Sequence, residues 1–505
     1  MKPANTLIIL SDEHQARAMG CAGHPFVSTP NLDRLAARGT MFTNAVTPSP
    51  ICVPARAALA TGQPVHRCHY WDNSFGYDGR IRSWGHALQD AGIPVESIGK
   101  LHYQKENLPT GFDSEHIPMH LHNGVGMVWA SIRDPLPKNR PNDKRMLGGY
   151  IGPGESDYTR YDHAITDLAV DWLHDKGRTS HEPWCLYVGF VAPHFPLVAP
   201  AEFFELYRRD DLPEPKLHPR TGYMLHPWLQ DHEDFWSHEA TLKDDTERKT
   251  AIAAYYGLIS WLDHNIGRLI TALEAAGLTD NTRIIYASDH GDNLGARGQW
   301  GKSNLYREST DVPLIIAGPD FEHRHCATPV SLLDISVTLV KSFGLDAAQV
   351  LPDASGQSLR AIAAKPLDLN RAVFSEYHAV GSNTGAYMLR RGRWKYHYYV
   401  RHEPELFDLV NDPEETTNLV SSPEHQMVLN QMDNALRAIC DPEAIDLKAK
   451  KDQAALIERI GGTTAAFDLG RAVAGGTPAP NSKVTEKKGT GEESPPCSVV
   501  DRFSE

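Results

Sequence analysis

The chain has 505 residues, 41% of them hydrophobic, and a formal charge of -14 spread without long blocks of one sign. That length is too great for one compact unit, and the acidic balance excludes a nucleic-acid surface. Seven scattered cysteines without paired spacing read as a reducing compartment rather than a disulfide framework, and no apolar run reaches membrane length.

Met1 to Asn5 runs straight into Thr6-Leu7-Ile8-Ile9-Leu10, an apolar stretch too short for a signal peptide that ends in charge. The expectation is a cytoplasmic protein with no membrane and no nucleic-acid partner. Leu7 to Leu10 reads as a strand buried on both faces, stopping at Ser11-Asp12-Glu13-His14. Thr29 to Gly39 has a cap, an early proline, apolar spacing and a terminal glycine, and reads as a helix. Met41 to Val46 reads as one strand leading into a loop that carries Cys52. Trp84 to Ala91 is the next helix, and Ile93 to Ile98 a strand ending at Gly99-Lys100-Leu101-His102. Tyr161 to His174 carries Ile165, Leu168, Ala169, Trp172 and Leu173 on one helical face. Trp184 to Val191 is strand-like and ends at Ala192-Pro193-His194. A long helix spans Thr250 to Ala276, the strand Arg283 to Ala287 ends at Asp289-His290, Val312 to Ala317 is another strand, and a helix covers Leu332 to Phe343.

This alternation specifies an α/β domain with a mostly parallel sheet flanked by helices. Asp12, Lys100, His194 and Asp289-His290 each follow an apolar strand run, and ligands in open α/β sheets bind outside the carboxyl ends of the strands. Singly, each residue has an ordinary reading: Asp12 caps a turn, Lys100 and Lys302 are solvated, His102 and His194 are loop histidines, and Asn73 is a turn residue. Their common placement makes a site. Asp12, Asp289 and His290 together suit a hard divalent cation such as Ca²⁺, Mg²⁺ or Mn²⁺. Cys52 precedes a short helix with Pro54 in its first turn and Gly62 as its stop. The free amides at such a helix start, with Arg56 one turn on, favour a bound oxyanion.

Cys52-Val53-Pro54-Ala55-Arg56 resembles the signature of the type I, formylglycine-dependent sulfatases of the alkaline phosphatase superfamily. The resemblance covers roughly residues 3 to 420. It continues through Thr29-Pro30-Asn31-Leu32-Asp33-Arg34-Leu35, Thr61-Gly62, Gly99-Lys100-Leu101-His102, Pro193-His194-Phe195-Pro196, Ser288-Asp289-His290-Gly291-Asp292 and Leu406-Phe407-Asp408-Leu409. It implies that Asp12, Asp289, His290 and Cys52, converted to formylglycine by a separate formylglycine-generating enzyme, bind one divalent metal, with Ca²⁺ favoured. It further implies that Arg56 holds the formylglycine, that Lys100 and Lys302 hold sulfate oxygens, and that His102 and His194 move protons. The second aspartate of many relatives is Glu13 here and is not counted as a ligand. Asn73, Lys100, His194 and Lys302 are the expected substrate-binding residues.

The implied reaction is hydrolysis of a small-molecule sulfate monoester. Tyr70-Trp71-Asp72-Asn73 and the run from Ser288 to Lys302 are most similar to the choline-sulfatase-like branch. Trp129 is one aromatic candidate for a cationic headgroup, but residues 112–150 offer no full cage. The rival readings are a phosphonate monoester or phosphodiester hydrolase using the same site, a promiscuous sulfatase acting on both, and a binding protein on a decayed scaffold, which the intact set of Cys52, Arg56, Lys100, His194 and Asp289 opposes.

Past residue 370 the pattern changes. Ala372 to Tyr377 and Gly385 to Tyr399, with a turn at Arg391-Gly392, read as antiparallel strands, and Glu424 to Cys440 as a helix packed on them. The expected organisation is a catalytic domain over 1–370, a smaller α+β domain over 371–462, and a Gly-, Pro-, Lys- and Glu-rich tail over 463–505. By composition this tail is a linker or disordered segment; the resemblance favours instead an arm that wraps a neighbouring subunit in a homodimer or homotetramer.

Overall fold

The computed structural model describes residues 4–137, 146–236, 238–470 and 477–480. Its centre is an eight-stranded sheet. In spatial order the strands are Arg324–Cys326, Gly39–Phe42, Leu314–Ala317, Thr282–Ser288, Asn5–Asp12, Cys185–Pro193, Val95–Lys100 and Ser114–Met119. All neighbours pair in parallel except those of Leu314–Ala317, which runs against the rest.

The first strand shows why the sheet is buried on both sides. Ile8 and Leu10 pack into one cluster with Ala57, Leu59 and Ile335, whereas Leu7 and Ile9 pack on the other face with Leu262, Ile266 and Leu269. Alternate side chains of one apolar run thus feed two cores, as a strand period of two requires. The helix Cys52–Thr61 lies over the first core and the helix Asp245–Ala275 over the second. The long helix begins five residues earlier than the apolar spacing suggests, because the Asp244 side chain accepts from the Glu247 amide at 2.8 Å and caps it there.

Two neighbouring strands leave no room for a side chain at one register position. Gly99 and Gly189 are paired in register. A Cβ at Gly99 would collide with the Gly189 carbonyl oxygen, and one at Gly189 with the Lys100 carbonyl oxygen.

Residues 41–46 are not one strand. Gly39–Phe42 joins the main sheet, and Ala45–Val46 pairs separately with Val330–Ser331. Between them Asn44 turns the chain, its Nδ2 donating to the Ala327 carbonyl at 2.6 Å.

A second, antiparallel sheet follows: Val373–Tyr377, Ala386–Arg391, Trp394–Tyr399 and Glu405–Asp408, in that order. The helix Gln426–Ile439 covers it, with Met432 and Leu436 against Tyr387, Leu389 and Tyr396. Pro442–Arg459 and Gly462–Gly470 are also helical, so the first residues of the expected tail are ordered. Ala466 and Phe467 of that last helix pack with Trp129, a short apolar face that the surrounding glycines hide in the composition. The expected subunit-wrapping arm otherwise lies outside the described residues, except for 477–480. Among the described residues no helix is long and apolar enough to cross a membrane.

Candidate active site

The carboxyl ends of the central strands deliver the polar residues to one place. Asp12 and Lys100 are the last residues of their strands, while His194 and Asp289 each follow directly on one. Cys52 is the first residue of its helix rather than the residue before it, and Asn73 Oδ1 accepts from the next amide, Val53 N, at 3.1 Å. One free amide of the helix start is therefore already satisfied by the side chain expected to bind substrate.

Arg56 organises the carboxylates. Its Nε donates to Asp289 Oδ2 at 2.8 Å, its Nη2 to Asp12 Oδ2 at 3.0 Å and its Nη1 to the Lys100 carbonyl at 3.0 Å. Lys100 Nζ is 2.6 Å from Asp12 Oδ2. Burial alone would raise the Asp12 pKa, but Lys100, His194 and Arg56 outweigh it and hold the carboxyl well below its ordinary range. Asp289 Oδ1 accepts from the amides of Glu13 at 3.1 Å and His290 at 2.9 Å. Glu13 reaches that position with a φ of 72°, in the left-handed region.

Asp12, Cys52, Asp289 and His290 each place a potential ligand atom within 4.8 Å of the others, all buried. Asp12 Oδ1 lies 3.6 Å from Cys52 Sγ and 3.8 Å from His290 Nε2, which is 3.6 Å from Asp289 Oδ1. Ligands about 2.3 Å from a shared cation stand roughly 3 to 4.6 Å apart, so these separations fit a common centre. His290 Nδ1 donates to the Gly291 carbonyl at 3.0 Å, leaving Nε2 as the lone-pair donor. Two carboxylates and an imidazole suit a hard divalent cation; the thiol is the one soft donor in the set. Burial and then Asp12 push the Cys52 thiol up to about 11, so it is protonated at neutral pH.

On the other side of Asp12, Lys302 Nζ is 2.7 Å from His194 Nε2 and 3.0 Å from Glu13 Oε2. Glu13, a position the motif comparison leaves out, forms a second group of potential ligands with Asp12 and His194. Its pKa is raised well above the ordinary value by burial, despite Lys302. His102 is lowered well below its ordinary value by burial and by Lys100. Its Nε2 is 2.8 Å from Thr477 Oγ1, while Nδ1 is buried without a partner among the described residues.

A cavity of about 110 Å³ opens on this cluster. Cys52, Asn73, Lys100, His102, His194 and Lys302 all line it, as do Tyr158, Trp300 and Thr477. Trp129 does not. It is fully buried against Phe235, Trp236 and Phe467, so the one aromatic candidate for a headgroup cage is a core residue. Thr477 is a residue that composition assigns to the tail; its carbonyl accepts from the Tyr158 hydroxyl at 2.6 Å. Only a contact across more than 300 positions of sequence places it here, and no local pattern signals that.

The chain is similar to known proteins over most of its length. The sequence model of the sulfatase family matches residues 4–345, and that described as N-sulphoglucosamine sulphohydrolase, C-terminal, matches residues 295–441. The chain is 32% identical over 474 residues to the choline-sulfatase of Rhizobium meliloti, covering 89% of each chain. It is 30% identical over 462 residues to arylsulfatase K of Bos taurus, covering 86% of this chain and 81% of that protein. The fold superposes with a TM-score of 0.68 at 22% identity on the phosphonate monoester hydrolase of Agrobacterium radiobacter, over 86% of this chain and 95% of that one. It superposes equally well, at 24% identity over 89% of this chain and 99% of the other, on a protein solved with its substrate D-glucosamine-2-N,6-O-disulfate. With a family match over most of its length and relatives of this identity, the chain belongs to the sulfatase family and is a sulfuric ester hydrolase.

Proposed function

We propose that the chain hydrolyses sulfate monoesters with residue 52 as nucleophile after its cysteine has been converted to formylglycine. The observation that carries this is the convergence of Cys52 with Asp12, Asp289 and His290 beside Lys100 and Lys302. A protonated thiol is a poor nucleophile and a poor partner for a hard cation; an oxygen at the same place answers both demands. The matching Cys-x-Pro-x-Arg segment supports oxidation of that cysteine by a formylglycine-generating enzyme.

Asp12, Asp289, His290 and residue 52 would hold the divalent cation, Ca²⁺ before Mn²⁺ or Mg²⁺. When bound, that cation supplies positive charge that eases deprotonation of an oxygen nucleophile and offsets charge on the sulfuryl group. Arg56 donates to both ligand carboxylates and, with Lys100 and His194, keeps Asp12 ionised. Lys100 and Lys302 bind sulfuryl oxygens and stabilise the charge that develops there. A hydroxyl of hydrated residue 52, its own proton released to solvent, attacks sulfur as the ester S–O bond breaks, and the His194–Lys302 pair gives a proton to the departing alkoxide. His102 then takes the proton of the second hydroxyl on residue 52, which expels sulfate and restores the aldehyde.

The test is a peptide mass across residues 35–67 of protein from its native host, alongside turnover of sulfate and phosphonate esters. Expected are replacement of the residue-52 sulfur by oxygen and a preference for sulfate. Full activity from unmodified cysteine would overturn the mechanism, and a preference for phosphonate esters would overturn the substrate assignment.

A further inference from the structure

The cavity carries a histidine that the reaction above leaves unused. His232, on the helix Pro227–Trp236, lines the cavity and is 4% exposed. Its Nδ1 is 3.3 Å from Gln299 Oε1, and its Nε2 has no partner among the described residues.

The neighbours determine where the imidazole proton sits. Gln299 Nε2 donates to Glu233 Oε2 at 3.0 Å. A carboxylate accepts, so this contact orients the amide with Oε1 toward His232. Oε1 also only accepts, so the hydrogen is on His232 Nδ1 and Nε2 presents a bare lone pair. Burial lowers the ring to about 4, which keeps it neutral at working pH. A buried acceptor without a partner is costly, and a ligand in this cavity would complete it.

The wall around it defines the rest of that ligand. Trp236 and Trp300 line the cavity, with Trp236 stacked on His238 at 5.3 Å between ring centroids. A side chain at Gly381 would press on both, its Cβ 2.8 Å from His232 Cδ2 and 3.0 Å from Trp236 Nε1, so the glycine seats the two rings together. Among the described lining residues there is no Asp or Glu. Lys100 and Lys302 line the same cavity, and with no carboxylate beside them to offset a further positive charge these aromatic faces suit an uncharged ring better than a cation.

We propose that His232 Nε2 accepts a hydrogen bond from a free hydroxyl on the organic half of the ester. The preferred substrate is then a neutral ring sulfate bearing such a hydroxyl, a hydroxyaryl or a sugar sulfate, rather than a cationic one. The inference rests on the sulfatase reading of the same cavity.

The experiment uses full-length matured protein and four probes: 4-nitrophenyl sulfate without a hydroxyl, 4-nitrocatechol sulfate and glucose 6-sulfate with hydroxyls, and choline sulfate as the cation. The native protein is expected to favour a hydroxylated probe in kcat/KM. His232→Phe should lower that preference by about tenfold or more, with 4-nitrophenyl sulfate turnover within about twofold of native. His232→Gln, which returns an acceptor, should recover part of the loss and covers the case in which the phenylalanine variant does not fold. Loss on 4-nitrocatechol sulfate alone identifies an aryl substrate, and loss on glucose 6-sulfate alone a sugar. Equal loss on all probes, no loss, or a native preference for choline sulfate overturns the subsite while leaving the hydrolase standing. No turnover of any sulfate ester overturns both.

Discussion

Lys302 Nζ lies 2.7 Å from His194 Nε2, and His194 Nδ1 lies 2.6 Å from the Phe195 carbonyl. The carbonyl can only accept, so Nδ1 carries a hydrogen and Nε2 accepts from the lysine. Burial and then Lys302 hold His194 well below its ordinary value. Burial acts to lower Lys302 too, but the Glu13 and Asp12 carboxylates act against it and the ammonium is raised. At neutral pH the proton for a leaving alkoxide therefore resides on the lysine side of the pair.

His194→Ala, which removes the acceptor that orients and relays the Lys302 proton, is expected to lower kcat by about 10²- to 10⁴-fold for an alkyl sulfate, the range for general acid–base catalysis. The loss should be far smaller for 4-nitrophenyl sulfate, whose leaving group needs little protonation. Steady-state kinetics over a series of leaving-group pKa values checks this. A loss independent of the leaving group would move the proton donor elsewhere.

Arg56 stands between two fully buried carboxylates, Asp12 and Asp289. Arg56→Ala removes their common cation and should destabilise the protein by about 3–5 kcal/mol. Added Ca²⁺ or Mn²⁺ should recover part of that stability, since a cation bound only by the folded state shifts the equilibrium toward it. Denaturant unfolding with and without metal measures both effects. Absence of any metal rescue would count against Asp12 and Asp289 as ligands.

Chelation should abolish turnover of the matured protein and lower its Tm, with activity restored by one equivalent of divalent ion per chain. Asp289→Asn should weaken that ion's affinity by at least about tenfold, because it converts an anionic ligand to a neutral one. Elemental analysis and calorimetric titration read the stoichiometry and affinity directly. Undiminished activity in thoroughly chelated protein would exclude the cation.

Glu96, on the same strand as Lys100, accepts from His116 Nε2 at 2.6 Å, Lys176 Nζ at 3.1 Å and Trp172 Nε1 at 3.1 Å through Oε2. Burial pushes its pKa up, but these hydrogen bonds outweigh it and bring it from 4.5 to about 2. The folded pKa is depressed, so this stabilisation is complete above pH 4.5 and is lost as pH falls toward about 2. Allowing for solvent screening, Glu96→Gln should cost about 1–2 kcal/mol at pH 7 and flatten the acid side of the stability curve. Urea unfolding at several pH values tests it; an unchanged acid slope would refute the assignment.

Much of the site is visible in the sequence because parallel strands announce their ends. Leu7 to Leu10 and Arg283 to Ala287 are apolar runs that stop at Asp12 and Asp289, and topology brings such endpoints to one edge. Lys302 follows no strand, and only its motif neighbours single it out. His232 and Thr477 leave no local trace: one lies on an ordinary amphipathic helix, the other in a stretch of tail composition, and both reach the cavity through tertiary contacts. The helix Gly462–Gly470 was hidden for a related reason. Its apolar face is only a few residues long and is bounded by glycines, so composition outweighs periodicity there.

The close pairing of Gly99 with Gly189 has a consequence for how this protein tolerates change. A side chain at either position would force apart the strands that end in Lys100 and Pro193, and with them the Lys100 carbonyl that receives Arg56. In a library of single substitutions selected for turnover, both positions should be as intolerant as the lysine itself. A map of such a library would mark two residues with no functional group as catalytic, because at that point the backbone's own thinness sets the distance between the reacting parts.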